Sequence, residues 1–178
     1  MGHTIKTKAS AIKYFTFAFL ILVVLTIFYV KYHNPVNIEK TCKSAHPLLV
    51  NNFRSCSLVE DVLSTLKENG YKPVILESSK YLGGIFREEF NTDIFEITNY
   101  QIQGEKNTGT TRFKFINGRL VSIMHFPKES DFLFELYPQS KSEDVSVKHL
   151  SDFQGKKYMI WSNNHLEDYI SWWIRRFS

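Results

Sequence analysis

The chain has 178 residues, enough for one domain and an anchor, and carries 15 Phe, 9 Tyr and 3 Trp. That aromatic supply excludes a disordered chain, because disordered sequences lack such bulk to bury. The formal charge of +4 is unevenly placed: Lys6, Lys8 and Lys13 precede position 30 without an acidic residue, and the remainder is nearly balanced. A near-neutral domain offers no footprint for a phosphate backbone, so nucleic acid is not expected as a partner.

Residues 1–13 form a short basic tail, followed by the uncharged run Tyr14 to Val30 between Lys13 and Lys31. As a helix this run rises about 25 Å, the lower limit for a bilayer core of about 30 Å. Flanking lysines can snorkel, and Tyr14, Tyr29 and Tyr32 stand near the two expected interfaces. A transmembrane helix over 14–32 is therefore expected, with the lipid bilayer as its partner. Val30-Lys31-Tyr32-His33 has no small-residue cleavage site, which favours an uncleaved anchor over a signal peptide. Lysines balance across the run, and the short basic tail places the N-terminus in the cytoplasm.

Residues 33–56 are expected to be a stalk closed by a disulfide between the only two cysteines, Cys42 and Cys56. Two unrelated thiols in a cytosolic domain are the alternative. Neither cysteine has a metal-ligand partner at C-x-x-C spacing, and no metal or cofactor is expected. The chain has no Asn-x-Ser/Thr acceptor, which favours a bacterial envelope: inner membrane, single-pass, domain in the periplasm.

Residues 57–178 are expected to form a small α+β domain with a mainly antiparallel sheet, an N-terminal helix and a C-terminal helix. The first helix runs from about Leu58 to Asn69, with Ser57 and Glu60 as a capping box and Gly70 as a left-handed stop. Pro73 to Glu77 reads as a short strand, Leu82-Gly83-Gly84-Ile85 as a loop and Asp93 to Gln103 as a strand. Asn117-Gly118 predicts a type I′ hairpin between Thr111–Ile116 and Arg119–Phe126. A plain two-residue loop puts Phe115 opposite Leu120 and Phe113 opposite Ser122, with Phe113, Phe115, Leu120 and Met124 on one face. Asp131 to Tyr137 is undecided between helix and strand. Gln139 to Lys148 is expected to be a polar loop, Lys156 to Trp161 a strand, and His165 to Phe177 a helix capped by Asn163 or Asn164.

Catalytic motifs are missing. The histidines show no H-E-x-x-H spacing, and no serine sits in a Gly-x-Ser-x-Gly elbow. Glu88, Glu89, Asp93 and Glu96 cluster at a strand start, where gatekeeping charges are a stronger expectation than paired acid–base carboxylates. Trp172, off the stripe of the last helix, forms with Arg175 and Arg176 a candidate partner patch, set against burial of that helix on two sides. The expected function is a non-enzymatic binding or assembly module of the envelope with a protein partner. The rivals are an anchored immunity factor against a toxin, and a hydrolase using Glu88, Glu89 or His125.

Overall fold

The computed structural model describes residues 3–32, 38–44, 46–83, 88–103, 108–128 and 131–177. Their order is α1 (His3–Tyr32), α2 (Ile38–Ser44), β1 (Leu48–Val50), β2 (Phe53–Arg54), α3 (Val59–Glu68), β3 (Val74–Gly83) and β4 (Glu88–Tyr100). There follow β5 (Gly109–Ile116), β6 (Arg119–Pro127), α4 (Asp131–Leu136), β7 (Ser140–Lys141), β8 (Val145–Ser151), β9 (Lys157–Asn163) and α5 (Asn164–Phe177). The fold is α+β, as expected. Its antiparallel sheet of seven strands has the order β3-β4-β5-β6-β9-β8-β7, beside a two-stranded β1-β2 hairpin.

At the centre, Asn117 (φ 47°) and Gly118 (φ 72°) form the expected turn with both residues left-handed. Phe115 faces Leu120 as expected, but Phe113 faces Ile123 rather than Ser122. The register slips between Lys114 and Phe115, leaving Val121 as an extra residue. This bulge sends Val121 into a second core and replaces Met124 by Ile123 on the first face.

The first face carries the main core. Phe113, Phe115, Leu120, Ile123, Met159 and Trp161 of the sheet are covered by Val62 and Leu66 of α3 and Leu133 of α4. Burying each of the two α3 side chains stabilises the fold by about 1.5–3 kcal/mol. The expected helix is present, and Gly70 (φ 81°) is its left-handed stop. Its capping box does not form, because Ser57 Oγ donates to the Arg54 carbonyl while the Val59 N–H donates to the Gly118 carbonyl. A tertiary bond to the turn replaces the local cap.

Leu49, Val50 and Phe53 also lie in this core, so the globular unit begins well before residue 57. Asn51 (φ 50°) and Asn52 (φ 67°) fold this part of the expected stalk back as a hairpin. Leu82 and Gly83, expected in a loop, continue β3, while Gly84 and Ile85 lie outside the described residues. The segment Asp131–Leu136 is helical, and the expected loop 139–148 contains β7 and the start of β8.

The second core lies at the Asn117-Gly118 end of the sheet, on the opposite face. Leu166, Tyr169 and Trp172 of α5 pack there with Ile116, Val121, Phe90 and the Cys42–Cys56 pair. That pair is a disulfide with Cα atoms 5.4 Å apart, which fastens α2 to the turn end. Among the described residues no helix is long and apolar enough to cross a membrane. In α1 the side chains described are those of residues 13–29.

Candidate functional site

The second sheet face is covered by α5 only at the turn end, and its remaining half is open. Strand alternation brings Glu96, Arg112, Met124, Phe126 and Tyr158 up on that half, where they line a groove of about 550 Å³. Its floor is Phe126, stacked on Tyr158 with ring centroids 4.7 Å apart. The Arg112 guanidinium lies 4.8 Å above the Phe126 ring, and its Nε donates to Glu96 Oε2 at 2.8 Å. Lys156 approaches the same ring at 5.7 Å. With Arg112 paired to Glu96 and Asp152 beside Lys156, the aromatic floor is edged by both signs of charge and suits an apolar or aromatic side chain flanked by polar groups.

The wall is the β8–β9 turn, Asp152 to Lys156. Asp152 Oδ1 accepts from the backbone N–H groups of Gln154 and Lys156, and Gly155 takes φ 78°. These bonds fix the turn from within. Phe153 stands at its tip, 95% exposed. An aromatic side chain held in water on a braced turn loses little conformational entropy on entering a partner's pocket.

Other recesses are less favourable. A 610 Å³ hollow is lined by Phe134, His149 and Lys157, but His149 Nε2 is held 2.7 Å from the Tyr137 carbonyl. At the start of α5, a 330 Å³ recess is lined by the ion pair Lys148–Glu167 and by His165, whose Nε2 lies 3.2 Å from Asp144 Oδ1.

Among the described residues, those expected to form a site do not converge. Trp172 is 3% exposed and belongs to the second core, so it presents no contact surface. Leu166, Tyr169 and Trp172 lie on one broad buried face of α5 against Val121 and the disulfide, while Asp168, Ser171 and Ile174 are exposed on the other side, so the helix is not buried on two sides. The Arg175 and Arg176 side chains lie outside the described residues. Cys42 and Cys56 are joined, as expected.

His125 is fully buried, its Nδ1 2.7 Å from Thr111 Oγ1. Through the register of β4, β5 and β6, His125 lies level with Ile97, eight positions from Glu89 along β4. That is about 26 Å along the strand. The Glu88 side chain lies outside the described residues, and Glu89 pairs with Lys80 at the surface. Asp93 accepts from Ser78 on the first face, while Glu96 binds Arg112 on the second. Among the described residues Glu89, Asp93 and Glu96 each have their own neighbour and do not share a pocket with His125. Among the described residues no group of three His, Cys, Asp or Glu side chains is arranged to hold a metal.

Sequence reasoning missed Phe153. The available signal was a large apolar residue inside the turn pattern Asp152-Phe153-Gln154-Gly155, where turn chemistry calls for small or polar types. No protein-family profile matches the chain, and no curated protein matches it.

Proposed function

We propose that this chain is a single-pass, membrane-anchored binding or assembly module of the bacterial cell envelope, without enzymatic activity of its own. In this reading the N-terminus is cytoplasmic, the domain is periplasmic, and the open groove with Phe153 grips a protein partner. One observation carries the binding role: a nearly fully exposed Phe153 on an internally hydrogen-bonded turn beside an aromatic floor and two cations.

The anchor is supported by α1 itself. Phe15 and Val24, on opposite sides of the helix, are both exposed, as are Leu20, Leu22 and Ile27. An apolar helix exposed all round needs non-aqueous surroundings. The uncharged run 14–30 is at the short end for a bilayer, and snorkelling by Lys13 and Lys31 would extend its reach. The Cys42–Cys56 disulfide supports an oxidising compartment for the domain.

The test is site-specific photocrosslinking of the full chain in a bacterial envelope, with the photoreactive side chain at position 153 or, as a control, at Lys67 on α3. A discrete adduct from position 153 alone, diminished at least tenfold by Arg112→Glu, is expected. Equal labelling from both positions, or an adduct indifferent to Arg112→Glu, overturns the groove as the binding site.

A further inference from the structure

Exposed apolar side chains gather at the end of the domain remote from Phe153. Strand β4 pairs Thr92 with Ile116, so β3 and the first residues of β4 run past the Asn117-Gly118 turn. The overhang is four positions of β4, about 13 Å. There Tyr81 and Leu82 are 52% and 63% exposed. Trp173 of α5 stacks on Phe90 with centroids 4.3 Å apart and meets Tyr81 at 5.9 Å. One residue on, Ile174 is 53% exposed. Leu58, bridged to Arg119 beside the same turn, is 40% exposed. Aromatic and aliphatic side chains thus share one end of the molecule.

The N-terminal helices converge on that end. Helix α1 touches α5, and α2 is fastened by the disulfide to Cys56, whose N–H donates to the Leu120 carbonyl. The geometry points to a second membrane contact: Tyr81, Leu82 and Ile174 rest in the interfacial layer of the bilayer next to the point where α1 enters it. This inference depends on the anchor reading above. Tyr and Trp beside aliphatic residues suit that layer, where one end of a ring meets lipid and the other water. With two contacts the domain holds a fixed tilt, and the β8–β9 turn with Phe153 points away from the membrane.

The experiment uses the full chain in nanodiscs whose lipids carry bromine both near the acyl carbonyls and at mid-chain, so that interfacial and central depths are each within reach. Because the native cysteines are paired, single variants Leu20→Cys, Leu82→Cys and Val74→Cys take one bimane label each. Val74 lies at the far end of β3, about 26 Å from Leu82. Each variant is first checked to keep the parent thermal transition. At least twofold quenching at positions 20 and 82, with none at 74, is expected. Quenching at 20 without quenching at 82 overturns the surface contact and leaves the anchor standing. No quenching at 20 overturns the anchor and the contact with it. Equal quenching at 74 and 82 means that the domain lies flat, which also overturns the contact.

Discussion

Asn163 and Ser55 meet in the buried seam between the sheet and the segment before α3, with Asn163 Nδ2 donating to Ser55 Oγ at 2.8 Å across 108 positions of sequence. The other end of the same amide caps α5, its Oδ1 accepting from the His165 and Leu166 N–H groups. One side chain therefore ends β9, starts α5 and fastens the N-terminal segment. Asn163→Ala removes a helix cap and a buried hydrogen bond, an expected loss of about 2–4 kcal/mol. Ser55→Ala leaves the amide donor buried without that partner and is expected to cost about 1–2 kcal/mol. Urea unfolding followed by tryptophan fluorescence measures both, and a loss under 0.5 kcal/mol (about the scatter expected at a surface site) for Asn163→Ala would contradict the double role.

This seam also marks where the sequence stops being legible. Asn163 as a helix cap, Gly70 as a stop and Asn117-Gly118 as a hairpin turn are local devices, so local chemistry reveals them. The Ser57 cap fails because its hydroxyl and the α3 N-terminus both find tertiary partners, Arg54 and Gly118, invisible from spacing alone. The bulge at Val121 has the same character: hairpin chemistry fixes Phe115 against Leu120, whereas the slip beyond it answers to a second core built partly by α5 and Cys56. Trp172 belongs to that core for the same reason, since the buried face of α5 is broader than the single stripe through Leu166, Ile170 and Trp173. The groove drew on β4, β5, β6 and β9, and no single stretch of sequence contains it.

The disulfide closes a loop with a sequence separation of 14, linking α2 to the residue whose N–H bonds Leu120. On the chain-entropy account a loop of that size stabilises the fold by about 3 kcal/mol. Replacing both cysteines, Cys42→Ala with Cys56→Ala, is expected to remove about that much and to loosen the second core before the first. Hydrogen exchange should then quicken at Leu166 and Tyr169 more than at Phe113 and Phe115. Uniform quickening would mean that the two cores unfold as one unit.

Gly109 opens β5 directly beneath the His125 ring. A Cβ there would fall 2.5 Å from the Phe126 carbonyl oxygen and 2.6 Å from His125 Nε2. The carbonyl belongs to the paired strand and cannot move without breaking the ladder. Gly109→Ala is therefore expected to cost at least the upper part of the usual 1–3 kcal/mol range for overpacking. The comparison is Gly155→Ala, where a Cβ meets nothing and only the φ of 78° opposes it. If the two variants melt together, crowding at His125 is not what holds position 109.

Burial pushes the Tyr100 phenol up to about 12, against which the Asn51 amide bonded to its oxygen at 3.1 Å acts in the opposite direction. The raised value means that the folded protein keeps a proton that the unfolded chain releases near pH 10. This contribution is complete below pH 10 and is lost as the pH climbs from 10 to about 12, at no more than about 1.4 kcal/mol per pH unit. Tyr100→Phe abolishes that slope, while Asn51 keeps its bond to the Gln101 carbonyl. Urea midpoints of the two proteins between pH 9 and 11.5 should converge as the pH rises. A constant gap would show that Tyr100 does not titrate in the folding equilibrium.

Phe153 separates binding from stability more cleanly than any other position in the groove. At 95% exposure its ring contributes almost nothing to the core, and the turn beneath it is held by Asp152 rather than by the ring. Phe153→Ala should leave the unfolding midpoint within about 0.5 kcal/mol of the parent. Arg112→Ala differs, because it removes the Glu96 pair and the contact over Phe126 from a partly buried site and should cost about 1 kcal/mol. In crosslinking to a partner, with the probe moved to Gln154, both variants are expected to lose at least tenfold. If the groove and the tip engage one partner together, the double variant loses less than the product of the single losses. Full multiplicativity would mean independent contacts, and no loss for Phe153→Ala would remove the tip from the interface.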